Sequence, residues 1–130
     1  MSDDVIIKVS NEPHLGNANS EQRKQMPMCT GLLDYFPDAL AYVAYVSWRG
    51  NNKHNPGQPT HWAREKSADH ADAAIRHLAR RGLFDTDGLR ESGCAVWRTL
   101  CVLQEELEKA YELPPSRGSR VPITDEKSGA

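Results

Sequence analysis

Residues 89–113 carry the longest helical pattern in the chain, and two prolines close it. Leu89, Val96, Trp97, Leu100, Leu103, Leu107 and Tyr111 recur at helical spacing. Pro114-Pro115 cannot continue a helix. A second face of the same segment carries Glu91, Cys94, Arg98 and Glu105 beside the small Cys101 and Val102. A helix with one apolar stripe and a second, small face can touch two neighbours at once, one of them in another subunit.

Two further helices follow from local signals. Pro37 is well placed to open one, and Asp38 suits the positive end of its dipole. This helix is predicted to run to Trp48, with Leu40, Val43, Ala44 and Ser47 on one face and Asp38, Tyr42, Tyr45 and Arg49 on the other. The next is predicted from Trp62 to Arg81, where Gly82 is a natural stop and Arg80-Arg81 favour the carboxyl end. Asp85-Thr-Asp87-Gly88 then reads as a turn and cap before the third helix.

The expected fold class is therefore all-α. Residues 1–25 form a polar leader in which Val5-Ile6-Ile7 is a short strand or a docked arm. Residues 26–113 form the helical domain, within which residues 26–36 are expected to lay Leu32, Leu33, Tyr35 and Phe36 onto the core. Residues 114–130 form a tail ordered by contact or not at all. Three helices leave Tyr42, Tyr45, Trp48 and Trp97 to cover, so the bundle is expected to be completed by oligomerisation, as a homodimer or homotetramer.

A chain of 130 residues is one domain by length and long enough to bury a core. Its formal net charge of −2 gives no basic field for a nucleic-acid polymer. No apolar run reaches membrane-spanning length, and the first residues lack the pattern of a signal peptide. Cys29, Cys94 and Cys101 make no CxxC pair, which disfavours a disulfide framework or zinc knuckle. Cys94 and Cys101 share a helix face and read as small buried hydrophobes. A cytoplasmic location fits.

The chemistry concentrates in two stretches. On a helix at 100° per residue, Glu65, Asp69, Asp72 and Arg76 fall within an arc of roughly 60°. Like charges at i,i+4 weaken a helix by about 0.2–0.5 kcal/mol, so such a stripe suggests a use, and holding Mg²⁺ or Mn²⁺ is the simplest. The plain alternative is a solvated acidic face neutralised by Lys66 and Arg76. Glu91 could approach Asp72 if the second and third helices are antiparallel; Asp85 and Asp87 are turn residues or further ligands. Arg76 either pairs with Asp72 or leans toward a phosphate. His70 and His77 lie on the flank of the second helix.

The second stretch is Gly50-Asn-Asn-Lys-His-Asn-Pro-Gly-Gln-Pro-Thr-His61, a loop by its turn residues. It carries Lys53, His54, Asn55, Gln58 and His61 with little core to make, and loops beside rigid helices often carry function. Nucleophile, Walker and dinucleotide motifs are all missing. Attack by a metal-assisted water is the chemistry that the carboxylates support.

Tyr35-Phe-Pro-Asp-Ala-Leu40, Gly50-Asn-Asn-Lys-His-Asn-Pro-Gly57, His61-Trp62, Asp69-His-Ala-Asp-Ala-Ala-Ile-Arg-His-Leu78, Asp85-Thr-Asp-Gly88 and Ala95-Val-Trp-Arg98 are similar in order and spacing to the phage dATP/dGTP diphosphohydrolases, relatives of the MazG-like all-α nucleotide pyrophosphohydrolases. The resemblance covers about residues 26–112. It implies a MazG-like bundle that uses Mg²⁺ or Mn²⁺ to cleave a purine deoxynucleoside triphosphate, dGTP or dATP, into monophosphate and pyrophosphate. It implies Asp69-His-Ala-Asp72 in place of the family's ExxE motif, with Asp69 and Asp72 catalytic. The second motif is matched only in its first acid, because Glu91-Ser-Gly-Cys94 ends in cysteine, with Asp87 or Asp85 as substitutes. The expected metal ligands are thus Glu65, Asp69, Asp72, Asp87 and Glu91. Lys53 and Arg76 would hold phosphates, and Trp48, Asn51, His54, Asn55 and Trp62 would flank the nucleotide. Two other functions stay open: a non-catalytic helical adaptor for a protein partner, and a pyrophosphohydrolase for another nucleotide.

Overall fold

The computed structural model describes residues 12 and 14–120, so Val5-Ile6-Ile7 and the last ten residues lie outside the described residues. These residues are all-α: four helices and no strand among them. Two compact units meet in the sequence at Pro37 and Asp38.

The first unit contains helix α1 (Ser20–Lys24). A reciprocal cap starts it: Asn19 accepts from the Gln22 amide while the Gln22 side chain accepts from the Asn19 amide. A π-helical turn follows at Cys29–Leu33. Leu32, Leu33, Tyr35 and Phe36 are all exposed, which corrects the expectation that they are laid into the core.

Helix α2 (Pro37–His54), in the second unit from its second residue on, runs past Trp48 through Gly50-Asn-Asn-Lys-His. The turn-forming residues there are overridden by tertiary context. Asn51 is buried, gives its amide hydrogens to Gln58 O at 2.9 Å, and its side-chain oxygen takes the His61 N–H at 3.4 Å. The loop thus hangs from the last turn of the helix.

Helix α3 (His70–Ala79) is about half its expected length, because Trp62–Asp69 do not join it. Trp62 gives its backbone N–H to Gly118 O at 2.7 Å instead. Its ring carries the Arg64 guanidinium at 3.9 Å on one side and meets His70 and Trp97 edge-on. Arg64–Lys66 make one 3-10 turn, and Ser67 is extended. Burying an aromatic ring outweighs the modest propensity that would have carried the helix back to Trp62.

The connection to α4 (Glu91–Ala110) is a tight turn. One Asp85 oxygen takes the amides of Asp87 and Leu89, both at 2.9 Å, and Gly88 adopts φ 79°. That positive φ is what selects glycine.

Helices α3 and α4 pack against each other through small residues. Ala73 and Ala74 are buried on α3, and Gly93, Cys94, Ala95 and Cys101 on α4. The expected apolar stripe divides: Leu89 is buried and Trp97 packs on the core, while Val96, Leu100 and Leu103 are 42%, 47% and 50% exposed. With Ala74, Ile75 and Leu78 the latter three line an apolar groove of about 370 Å³. Close backbone approach explains the choice, since small side chains let two helices meet where leucines would hold them apart. The core proper is Val46, Leu89 and Cys94, with Tyr42 and Trp97 against it. No described helix is long and apolar enough to cross a membrane.

Candidate functional site: a cationic, aromatic-walled cavity

A cavity of about 720 Å³ lies within the second unit, walled by the last turns of α2, the loop 55–69, both ends of α3 and the first turns of α4. Its volume suits a small-molecule ligand. Arg49, Lys53, Lys66 and Arg98 face it with four histidines, His54, His61, His70 and His77, against two carboxylates, Asp85 and Asp87. Trp62 and Trp97 supply the apolar wall.

The aromatic wall is built around His70. Its ring meets Trp62 at 5.9 Å and Trp97 at 6.0 Å, both edge-on. The Arg98 guanidinium lies 3.1 Å from its Nδ1, and burial, followed by that guanidinium, pushes its pKa down. Its Nε2 is 3.5 Å from a Glu105 oxygen and lacks hydrogen-bond geometry. The indole N–H of Trp62 is buried and has no hydrogen-bond partner among the described residues.

The expected substrate contacts divide in two. Asn51, Lys53, His54, Asn55 and Trp62 all line the cavity. Asn51 and Asn55 are nonetheless buried and linked to each other at 3.4 Å, so their side chains hold the loop. Trp48 is outside, half-exposed and stacked on Tyr45 at 6.2 Å. Arg76 is also outside, bonded to Asp69 at 3.0 Å rather than to Asp72.

The expected metal ligands do not converge. Glu65 is exposed on the 3-10 turn. Asp69 precedes α3; Arg76 first, then Ser67, hold its carboxyl down at about 2. Asp72 sits in the first turn of α3, exposed and away from the cavity wall. Asp87 lines the cavity but is paired with Lys53 at 2.8 Å, which lowers its pKa. Glu91 is buried with both oxygens engaged, by His77 at 2.6 Å and Arg80 at 2.8 Å, and these two donors, His77 first, keep its carboxyl low. Among the described residues, no three His, Cys, Asp or Glu side chains come together to hold a metal ion. The proposed stripe required one continuous helix through Glu65 and Asp69, and the extended Ser67 breaks it.

Arg49, Lys66 and Arg98 are cavity residues that the sequence did not single out as site residues. Arg49 spans from Tyr45 (2.8 Å) to the Asp87 carbonyl (2.7 Å) and pins the turn to α2. Arg98 carried a signal: an arginine on the small, buried face of a helix needs an acceptor. It donates to Ser67 Oγ at 2.6 Å.

No protein-family model, no curated protein and no solved structure matches this chain.

Proposed function

We propose that the cavity binds a purine deoxynucleoside triphosphate, dGTP or dATP, and that the protein hydrolyses it to the monophosphate and pyrophosphate in the cytoplasm. The observation that carries this reading is the composition of the cavity wall. The cations Lys53, Lys66 and Arg98 line one volume of nucleotide size together with Trp62 and Trp97. Phosphates favour such cations, and a base favours aromatic walls. The sequence resemblance supplies the reaction type.

Mg²⁺ or Mn²⁺ belongs to this reading as the companion of the triphosphate. The carboxylates of one chain do not fit a resident metal site, because Asp69, Asp87 and Glu91 are engaged by cations and Asp72 is remote from the cavity. The chain's own contribution is to neutralise phosphate charge and hold the nucleotide. A second copy covering the α3–α4 groove is part of the same proposal.

The test is product analysis. Purified protein is incubated with dGTP or dATP and Mg²⁺ or Mn²⁺, and monophosphate with pyrophosphate is expected. Inorganic phosphate alone, or triphosphate plus nucleoside, would exclude this bond. The exposed apolar groove favours the adaptor as the second reading. An adaptor gives neither turnover nor a thermal shift with nucleotide.

A further inference from the structure

His77 closes the last turn of α3 and lines the cavity. Its Nδ1 lies 2.6 Å from Glu91 Oε1. Glu91 is 4% exposed, and its other oxygen takes the Arg80 Nε–H at 2.8 Å. An ionised carboxylate only accepts hydrogen bonds, so the proton between the two sits on Nδ1. In the neutral imidazole this leaves the lone pair on Nε2. A buried carboxylate fixing one ring nitrogen so that the other can take a proton is how an imidazole is prepared for base catalysis. Of the other three cavity histidines, His70 has its Nδ1 against Arg98 and its ring between two tryptophans, His61 Nδ1 bonds the Pro59 carbonyl at 2.9 Å, and His54 ends α2; His77 differs from His70 and His61 in being bonded to a buried carboxylate.

We propose that His77 is the proton acceptor of the cavity, with Glu91 and Arg80 as its positioning residues. This rests on the hydrolase reading above. A water gives its proton to His77 Nε2 as its oxygen bonds the α-phosphorus. The bond from that phosphorus to the α,β-bridging oxygen breaks, and pyrophosphate leaves with the electron pair. The proton then passes from His77 to the pyrophosphate or to solvent. The role needs neither Asp69 nor Asp72.

The experiment compares wild type with His77→Gln and His77→Ala, each checked for helicity. Turnover of dGTP is expected to fall at least about 100-fold, the ordinary contribution of a general base. Affinity for the α,β-methylene triphosphate analogue, measured by calorimetry, should stay within about threefold, since a base acts on the reaction step. Added imidazole should restore part of the turnover of His77→Ala. If His77→Gln keeps wild-type turnover, the inference is overturned and the hydrolase stands. If wild type hydrolyses no triphosphate, the hydrolase reading fails, and diethyl pyrocarbonate decides for His77. Rapid carbethoxylation of His77, slowed by the analogue and read by mass spectrometry, supports a free basic nitrogen in a ligand cavity. Failure to modify, or to protect, overturns it.

Discussion

Arg64 grips Glu108 with both ends of its guanidinium, across 44 residues of sequence. The Ser116 amide (3.0 Å) and Gln104 side chain (2.9 Å) complete the carboxylate's partners, so this pair fastens the loop before α3 and the segment after α4 to one helix. Glu108→Ala would strand a largely buried guanidinium and is expected to cost about 1–3 kcal/mol. The Arg64 bonds hold the Glu108 carboxyl at about 2. A depressed folded pKa gives stability that is complete above the unfolded value, about 4.3, and is lost as pH falls toward the folded value. The melting-temperature gap between wild type and Glu108→Gln should therefore be full at pH 6 and shrink as pH drops below about 4.3 toward 2. A gap that does not change with pH would disprove the pair's contribution.

Gly93 of α4 packs directly on Tyr42 and Val46 of α2. A Cβ there would stand 2.6 Å from the Tyr42 ring. Tyr42 cannot simply swing away, because its hydroxyl accepts the Arg90 N–H at 2.7 Å and its ring packs on the core. Gly93→Ala, though favourable for an isolated helix, is expected to destabilise the fold by about 1–3 kcal/mol through overpacking. Thermal unfolding of the single variant checks it, and Tyr42→Ala combined with Gly93→Ala should recover part of the loss relative to Tyr42→Ala alone.

The three main helices were legible because each was marked by a proline, a glycine or a periodic apolar run, as at Pro37, Gly82 and Pro114. What the sequence misjudged were features set by distant partners. Nothing local in Trp62-Ala-Arg-Glu65 says that the ring will pack on Trp97 and its backbone bond Gly118, yet that burial shortens α3 and dissolves the acidic stripe. Which face of α4 meets α3 stayed open for a related reason. Periodicity finds the leucine side, but which side meets α3 depends on Ala73 and Ala74 offering a small surface. Lys53 and Trp62 were found at the cavity because a loop rich in polar groups beside helices is a simple signal; Arg98 was passed over because it lay among cysteines.

Cys94 and Cys101 are buried on α4, and that burial, first of all, pushes their thiols up to about 11 and about 12. Thiolate is the reactive form, so neither should react in the native protein at pH 8. Cys29 is exposed. Titration with a disulfide reagent is expected to count one fast thiol in buffer and three in denaturant. Two fast thiols in buffer would show that α4 opens.

The groove between α3 and α4 gathers Ile75, Leu78, Val96, Leu100 and Leu103, all at least 42% exposed. Apolar surface of this kind on one face marks an interaction site. If a second copy covers it, Leu100→Glu with Leu103→Glu should convert an oligomer to a monomer by light scattering while leaving helicity in place. Monomeric wild type at micromolar concentration would remove the homo-oligomer from the proposal.

Lys53 and Asp87 are joined at 2.8 Å on the cavity wall, with both side chains substantially exposed. The pair sets up a competition for an incoming triphosphate: Asp87 occupies the lysine and repels the phosphates. Asp87→Asn should therefore bind triphosphate more tightly in the absence of divalent ions, and Lys53→Ala more weakly, each by about 3–10-fold at low salt, the scale of exposed charge pairs. Raising the salt to about 1 M, where the Debye length is about 3 Å, should erase most of both effects. The same titration repeated with Mn²⁺ separates two roles for the carboxylate. If Asp87 acts only on Lys53, its replacement leaves the response to Mn²⁺ unaltered. If it also holds the ion that accompanies the triphosphate, as the sequence resemblance implies, Asp87→Asn loses that response while keeping the tighter ion-free binding.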